Sequence, residues 1–306
     1  GQNQCTTYTH DFRLMTLAEV ERRSVGVSYP AINASDLADI AVHLSSVPSQ
    51  RAVADYLDRE TIRLDALVAA KEGVLGLLAE KRQALITQAV TCGLNQHVPM
   101  TDTGIEWIHQ APRHWTRTKI SRLFQQTKRL GFADLTVLSV YRDYGVIERS
   151  SRDDNANRVP DDLDKYQLVE PGDLVINKMK AWQGSLGIAE VRGITSPDYV
   201  VFKPLHHALA KFLHYLLRNQ ILTTVYFSMS NGIRTSQWRL EPDRFGTLQL
   251  FLPPIDEQRE IVAHIGKATA KLDALHSATE RTILLLKERR SALIAEAVTG
   301  QISVGA

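Results

Sequence analysis

QREIVAHIGKATAKLDALHSATERTILLLKERRSALIAEAVT, residues Gln258–Thr299, has a twin 208 positions earlier: QRAVADYLDRETIRLDALVAAKEGVLGLLAEKRQALITQAVT, residues Gln50–Thr91. The two align without a gap. Leu64-Asp65-Ala66-Leu67 matches Leu272-Asp273-Ala274-Leu275, and Ala84-Leu85-Ile86 matches Ala292-Leu293-Ile294. Ala89-Val90-Thr91 matches Ala297-Val298-Thr299. An ungapped repeat at this separation makes the chain two halves of one plan. In the first copy Leu57, Thr61, Leu64, Val68, Lys71, Leu75, Leu78, Arg82, Leu85 and Ala89 step by alternating fours and threes. That spacing predicts a helix over about 48–92 with a heptad-like seam, which Leu67, Leu77, Ile86 and Val90 widen into a broader face. Ile265, Leu272, Ile283, Leu286, Leu293 and Ala297 occupy the matching seam of the second copy. At about 1.5 Å per residue such a helix is roughly 63 Å long. It cannot bury its stripe on a small domain alone, so its natural partner is its own copy. A coil that only dimerises is the plain alternative.

The repeat extends ahead of the helices. Ile32, Leu37, Ile40, Val42 and Leu44 alternate like a short strand, and Leu240, Phe245, Leu248, Leu250 and Leu252 repeat the pattern in the second copy. Roughly 140 residues of globular sequence precede the second strand and about 30 the first. This predicts a first globular unit that is cut short. The resulting division is 1–47 as a remnant, 48–95 as the first long helix, 96–253 as a full domain, and 254–306 as the second helix with its tail.

Composition sets the outer bounds. With 306 residues, 44% hydrophobic and 23% charged, the chain reads as soluble globular protein with room for two cores. It has no apolar run of about 18 residues, so no membrane span is expected. The polar start GQNQCTTYTHDFR is not a signal peptide, and the missing initial Met suits a fragment or processed form. Cys5 and Cys92 are too few for a disulfide framework, which fits a cytoplasmic protein. The net charge is +2, but residues 101–250 carry 20 Lys/Arg against 16 Asp/Glu, a surplus of four. Residues 1–49 carry 3 against 5. The basic surplus of the middle segment is compatible with a phosphate-facing surface.

Catalytic motifs are missing from the sequence. There is no Gly-rich phosphate loop, no His-Glu-x-x-His and no Gly-x-Ser-x-Gly. His206, His207 and His214 cluster, but no cysteine or paired carboxylate joins them at metal spacing. Asp161, Asp162 and Asp164 could suggest a metal-dependent nuclease, yet they follow Pro160 in a polar stretch that reads as a solvated loop. Pro253-Pro254 is flanked by Leu252 and Ile255, unlike the loop of an adenine methyltransferase. No catalytic residue, metal site or cofactor is therefore assigned.

Between the helices, short strands alternate with polar loops and a helical stretch over 208–226, an α+β pattern. MTDTGIEWIHQAPRHWTRT, residues 100–118, reads as a turn-rich lead-in, and Leu135 to Val140 as a strand. Three loops concentrate side chains suited to DNA. Arg142, Tyr144, Arg149, Arg152 and Arg158 bracket the first. Asn177, Lys178, Lys180, Trp182 and Gln183 form the second, and Asn231, Arg234, Thr235, Gln237 and Arg239 the third. Arg and Lys reach phosphates and guanine edges, while Asn and Gln suit adenine. A solvated basic loop is the ordinary reading of each alone; three in one domain favour groove reading. The candidate DNA-binding residues are Arg142, Tyr144, Arg149, Arg152, Asn177, Lys178, Lys180, Gln183, Arg234, Gln237 and Arg239.

The sequence resembles the specificity subunit of type I restriction–modification systems. The resemblance rests on Leu252-Pro253-Pro254-Ile255-Asp256-Glu257-Gln258 running into the second helix, and on Lys287-Glu288-Arg289-Arg290-Ser291-Ala292-Leu293-Ile294 and Ala297-Val298-Thr299-Gly300 at its end. Thr103-Gly104-Ile105-Glu106-Trp107, Pro112 and His114-Trp115 resemble the lead-in to a second target-recognition domain. Tyr166, Pro171-Gly172-Asp173-Leu174-Val175 and Ser196-Pro197-Asp198-Tyr199 resemble the body of one. The resemblance covers the chain from about residue 28 onward. It departs at Leu44-Ser45-Ser46-Val47-Pro48-Ser49-Gln50, which lacks the Pro-Pro and Glu of the second copy.

The resemblance implies a non-catalytic subunit with recognition domains that read halves of a split site on double-stranded DNA. The two helices would pack as an antiparallel coiled coil that fixes the spacing of the half-sites. Two methyltransferase (M) subunits, which bind S-adenosylmethionine, would dock on this scaffold, joined by restriction/translocase (R) subunits. A second specificity chain could supply a missing half. The alternative is a truncated scaffold that binds methyltransferase subunits through its helices without productive DNA reading.

Overall fold

The two copies of the repeat form the longest helices of the molecule. The computed structural model describes residues 20, 22–24, 31–39, 46–152, 160, 162–232 and 238–302. Helix α2 runs Val47–Cys92 and helix α7 Ile255–Val298, both bounded as the periodicity predicts. A short helix α1, Ala34–Ala38, precedes α2. At the repeat offset it falls on another short helix, α6, Pro242–Gly246. The strand expected over residues 32–44 is corrected to that extent, since Leu37 and Phe245 both lie on a helical turn. Strand β12, Gln249–Leu252, follows α6. Ile40, Val42 and Leu44 lie outside the described residues.

The chain divides into two compact units: Gly1–Leu78 with Asp273–Ala306, and Ala79–Leu272. In the first unit Leu57 packs with Ile294 and Ala297. Arg290 Nε lies 2.9 Å from Asp65 and Lys287 Nζ lies 3.5 Å from Glu72. As α2 advances from 65 to 72 its partner retreats from 290 to 287, so the helices are antiparallel. Leu64, Leu272 and Ile283 of the seam are buried. Leu67 and Leu77 do not widen it; they are exposed, as are Ile62 and Val74. At 3.6 residues per turn Ile62 and Leu77 fall opposite Leu57 and Leu64, while Val74 and Leu67 fall on the flank between.

Among its described residues the second unit has antiparallel sheets and four α-helices besides its parts of α2 and α7. The lead-in is not merely turns. It forms strands β1, Met100–Ile105, β2, Ile108–Pro112, and β3, Thr116–Lys119. β1 pairs with β2, and β3 pairs with β12, so the segment after α2 is stitched to the segment before α7. After a short helix α3, Ile120–Leu123, come β4, Phe124–Thr127, β5, Leu138–Tyr141, and β6, Gly145–Glu148. Strands β7, Gln167–Val169, β8, Leu174–Asn177, β9, Leu186–Ile188, β10, Gly193–Thr195, and β11, Tyr199–Pro204, complete the set. The main sheet has the order β4-β11-β8-β9, which leaves β9 at an edge.

Side chains along that sheet alternate between two cores, as the period of two requires. Leu174, Ile176, Leu186, Ile188, Val200 and Phe202 face the larger core. There they meet helices α4, Ala210–Leu217, and α5, Gln220–Met229, through Phe212, Leu213, Leu216 and Leu222. The same core takes Ile86 and Val90 of α2 and Ile261 and Ile265 of α7. The intervening Val175, Ala189 and Val201 face a smaller core with Leu138, Val140 and Val146 of the β5–β6 hairpin. The helical stretch over 208–226 is broken at Asn219, which is fully buried. Its side chain accepts from Leu222 N at 3.0 Å and donates to Leu216 O at 2.5 Å, capping α5 and closing α4.

Candidate nucleic-acid interface

The second and third loops meet. Asn231 and Arg239 exchange backbone hydrogen bonds of 3.2 and 3.0 Å, and Leu240 N donates to Lys178 O at 3.0 Å. Beneath them Trp182 and Trp238 lie 5.8 Å apart, and Phe227 of α5 lies 4.9 Å from Trp238 and 6.0 Å from Trp182. Trp182 Nε1 donates to Met179 O at 3.1 Å, so the ring also closes its own loop. Phe227 remains 47% exposed. The pairing carries Lys178, Lys180, Gln183 and Arg239 on one pair of loops, with Lys180, Gln183 and Arg239 exposed. Asn177 differs. It is the buried last residue of β8, and its Oδ1 accepts from Met179 N at 3.2 Å. Arg234 and Gln237 lie outside the described residues.

The first loop splits into two places. Its tight turn between β5 and β6 holds Arg142 and Tyr144, both exposed. The Arg152 guanidinium comes back over the Tyr144 ring at 4.6 Å and lies 5.7 Å from the Tyr141 ring. Arg149 sits elsewhere, near Tyr166 and Tyr199. Burial pushes both phenols above the usual range, and the Arg149 charge opposes that rise. The β5–β6 turn rests against β9, the strand that the second loop feeds, through Arg218 Nη1 donating to Leu186 O at 2.6 Å.

Residues singled out for other chemistry have structural employment. His206 stacks edge-on against Phe124 at 4.8 Å and accepts from Ala208 N at 3.1 Å. His214 is held down to about 4, first by burial and then by the charges of Arg218 and Lys211. Asp162 Oδ1 accepts from Asp164 N at 2.9 Å within its loop; Asp161 lies outside the described residues. Gln258 of the Pro-Pro segment is buried, donates to Pro253 O and accepts from Leu209 N, both at 2.8 Å. Glu257 accepts from Trp115 Nε1 at 3.1 Å and lies 2.7 Å from His114 Nε2, joining the lead-in motif to the start of α7. Among the described residues no group of three His, Cys, Asp or Glu side chains comes together to hold a metal, and no helix is long and apolar enough to cross a membrane.

No family model matches the chain. Among curated proteins it is similar to the Type I restriction enzyme EcoBI specificity subunit of Escherichia coli, at 19% identity over 310 residues. That alignment covers 94% of this chain and 64% of the relative's length. Among solved structures, a chain from a type I R-M system studied for complex assembly and conformational transition matches 96% of this chain and 70% of its own. Its TM-score is 0.63 and its identity 18%. The chain is similar in sequence to a type I specificity subunit and shares the fold of this solved structure. The HsdS subunit from Thermoanaerobacter tengcongensis has that fold too, with a TM-score of 0.52, 17% identity, and coverage of 97% of this chain and 70% of that one. In this chain the order is α2, then the mixed domain with β1–β12, then α7.

Missed in the sequence were Arg218 and the pairing of Gly145 with Gly187. Arg218 reads as one more polar position in ALAKFLHYLLRN. The signal that could have found it is its spacing of four from His214, which puts both on one side of α4.

Proposed function

We propose that this chain is a DNA sequence-specificity subunit of a type I restriction–modification complex. It recognises a site or half-site on double-stranded DNA, and the methyltransferase and nuclease chemistry belongs to partner subunits. The observation that carries this reading is the alignment of 94% of the chain with a type I specificity subunit. The recognition domain is residues 96–253. Its reading surface is the paired second and third loops with the β5–β6 turn. Lysine and arginine there neutralise phosphates, so binding weakens steeply with salt. A smaller number of Arg, Asn and Gln side chains select bases.

Helices α2 and α7 act as the spacer, and their outward sides receive the methyltransferase subunits. Ile62, Leu77, Leu284 and Leu285 support that docking role, since all are 60% exposed or more and apolar. Two methyltransferase subunits, restriction subunits and a second specificity chain complete the proposed assembly.

The test is a gel-shift titration of the purified complex with Lys178→Ala and Arg234→Ala. Each substitution weakens DNA binding while leaving the domain folded. Unchanged affinity for both would remove these loops from the DNA face. Unimpaired methyltransferase capture by a complex that selects no sequence would favour the scaffold reading instead.

A further inference from the structure

The turn between β5 and β6 exposes Arg142 and Tyr144, yet its backbone is not free. Arg218, at the C-terminal cap of α4, donates from Nη2 to Arg142 O at 2.6 Å and from Nη1 to Tyr141 O at 3.4 Å. The same Nη1 donates to Leu186 O at 2.6 Å. Leu186 opens β9, the edge strand, whose outer side pairs with no strand among the described residues. One guanidinium thus ties the turn, the sheet edge and a helix end together. Its acceptors are carbonyls rather than carboxylates, and it is half-buried. Placing a charge there is costly unless its hydrogen bonds are satisfied, and the three carbonyls do so.

The fit around this fork is close. Gly145 begins β6 at φ 79°. A Cβ there would lie 2.8 Å from His214 Cε1 and 3.4 Å from Arg218 Nη1. A Cβ on Gly187 would lie 3.2 Å from Gly145 Cα and 3.4 Å from Val146 N. The hairpin therefore sits on β9 backbone to backbone, and its position is fixed rather than cushioned by side chains. Tyr141 and Tyr144, which hold Arg152, ride on that hairpin.

We infer that Arg218 is a positioning residue for sequence readout, holding the Arg142–Tyr144 turn and its stacked Arg152 against β9 without itself touching DNA. The inference rests on the reading of these loops as the DNA face. Base contacts depend on geometry, whereas phosphate contacts depend mainly on charge. Lysine keeps the charge but cannot reproduce a planar fork over separate carbonyls. Arg218→Lys therefore separates the two kinds of contact.

The experiment uses the full chain in complex with its partner subunits, presented with a randomised duplex library. Wild type, Arg218→Lys and Arg218→Met are compared by motif enrichment and by the salt dependence of bulk duplex binding. Amide hydrogen exchange over residues 141–145 is followed in the same samples. For Arg218→Lys the preference for the selected motif over bulk duplex falls by about tenfold, the loss of one good base contact. The relaxation is confined to a subset of base positions, the salt dependence is unchanged, and exchange at the turn accelerates while that of α2 and α7 does not. Arg218→Met behaves alike. An unaltered motif or unaltered turn exchange in Arg218→Lys overturns the positioning role. So does a parallel loss of motif and bulk binding with slower-folding or melted helices. A wild-type complex that enriches no motif overturns the DNA reading itself, and the positioning role with it.

Discussion

Gly187 is a residue at which packing leaves little freedom. Its neighbours across the hairpin are backbone atoms, Gly145 Cα and Val146 N, which cannot rotate aside as a side chain can. Gly187→Ala should therefore destabilise the second unit by about 1–3 kcal/mol, the usual range for overpacking. Urea unfolding measures it; a change within experimental scatter would mean that the hairpin can lift from β9. His214 gives a second prediction from the same corner. Burial holds its folded value at about 4, below the unfolded value of 6.5. Above pH 6.5 neither state binds the proton and the residue is neutral to stability. As the pH falls from 6.5 to 4 only the unfolded state gains the proton, so stability is lost, by up to about 3 kcal/mol. His214→Gln should flatten this part of the stability–pH curve. Wild type and variant losing stability in parallel over that window would place the acid sensitivity elsewhere.

At the scale of elements, the long helices depend on their seams and not on their outer sides. Ile265 is fully buried in the larger core, and Ile265→Ala should cost about 2–5 kcal/mol. Leu285 is 63% exposed, and Leu285→Ala should change stability by no more than about 0.5 kcal/mol. Equal losses for the two would contradict the assigned faces. These helices were legible in the sequence because their signal is local: a period of threes and fours, repeated at a fixed offset. The face was less legible. Leu67 and Leu77 are as apolar as Ile86 and Val90, and only non-local packing, here the larger core around Ile86 and Val90, decides which of them is covered. The α1 and α6 segments misled for a related reason. Apolar residues spaced by three and five, as at Leu240, Phe245 and Leu248, suit a brief helical turn leading into a strand as well as they suit a strand.

The join of lead-in to helix shows what a motif can and cannot disclose. His114-Trp115 and Glu257 were each recognisable, but not their hydrogen bonds to one another across more than 140 residues. The candidate interface was legible to the same degree. Its residue types and loops could be listed by chemistry from the sequence. That Lys178 and Arg239 share one platform depends on the Asn231–Arg239 bridge and the Trp182–Trp238 contact, which are non-local. Asn177 is of a residue type that suits adenine, but it is a buried side chain that closes a turn.

For the whole molecule, the repeat is the organising fact. A long helix, a mixed domain and a second long helix follow one another in the chain, and the basic loops all belong to the domain between them. The chain spans 64% of the length of the curated relative it matches. A one-sided motif would mean that the single domain reads alone, and a palindromic motif that two copies act together. The most direct measurement is the DNA methylation motif of the host genome, mapped with the chain present, deleted and restored. The account predicts a defined motif that vanishes on deletion and returns with the wild-type chain. A set of methylated motifs that is the same in all three strains would contradict it.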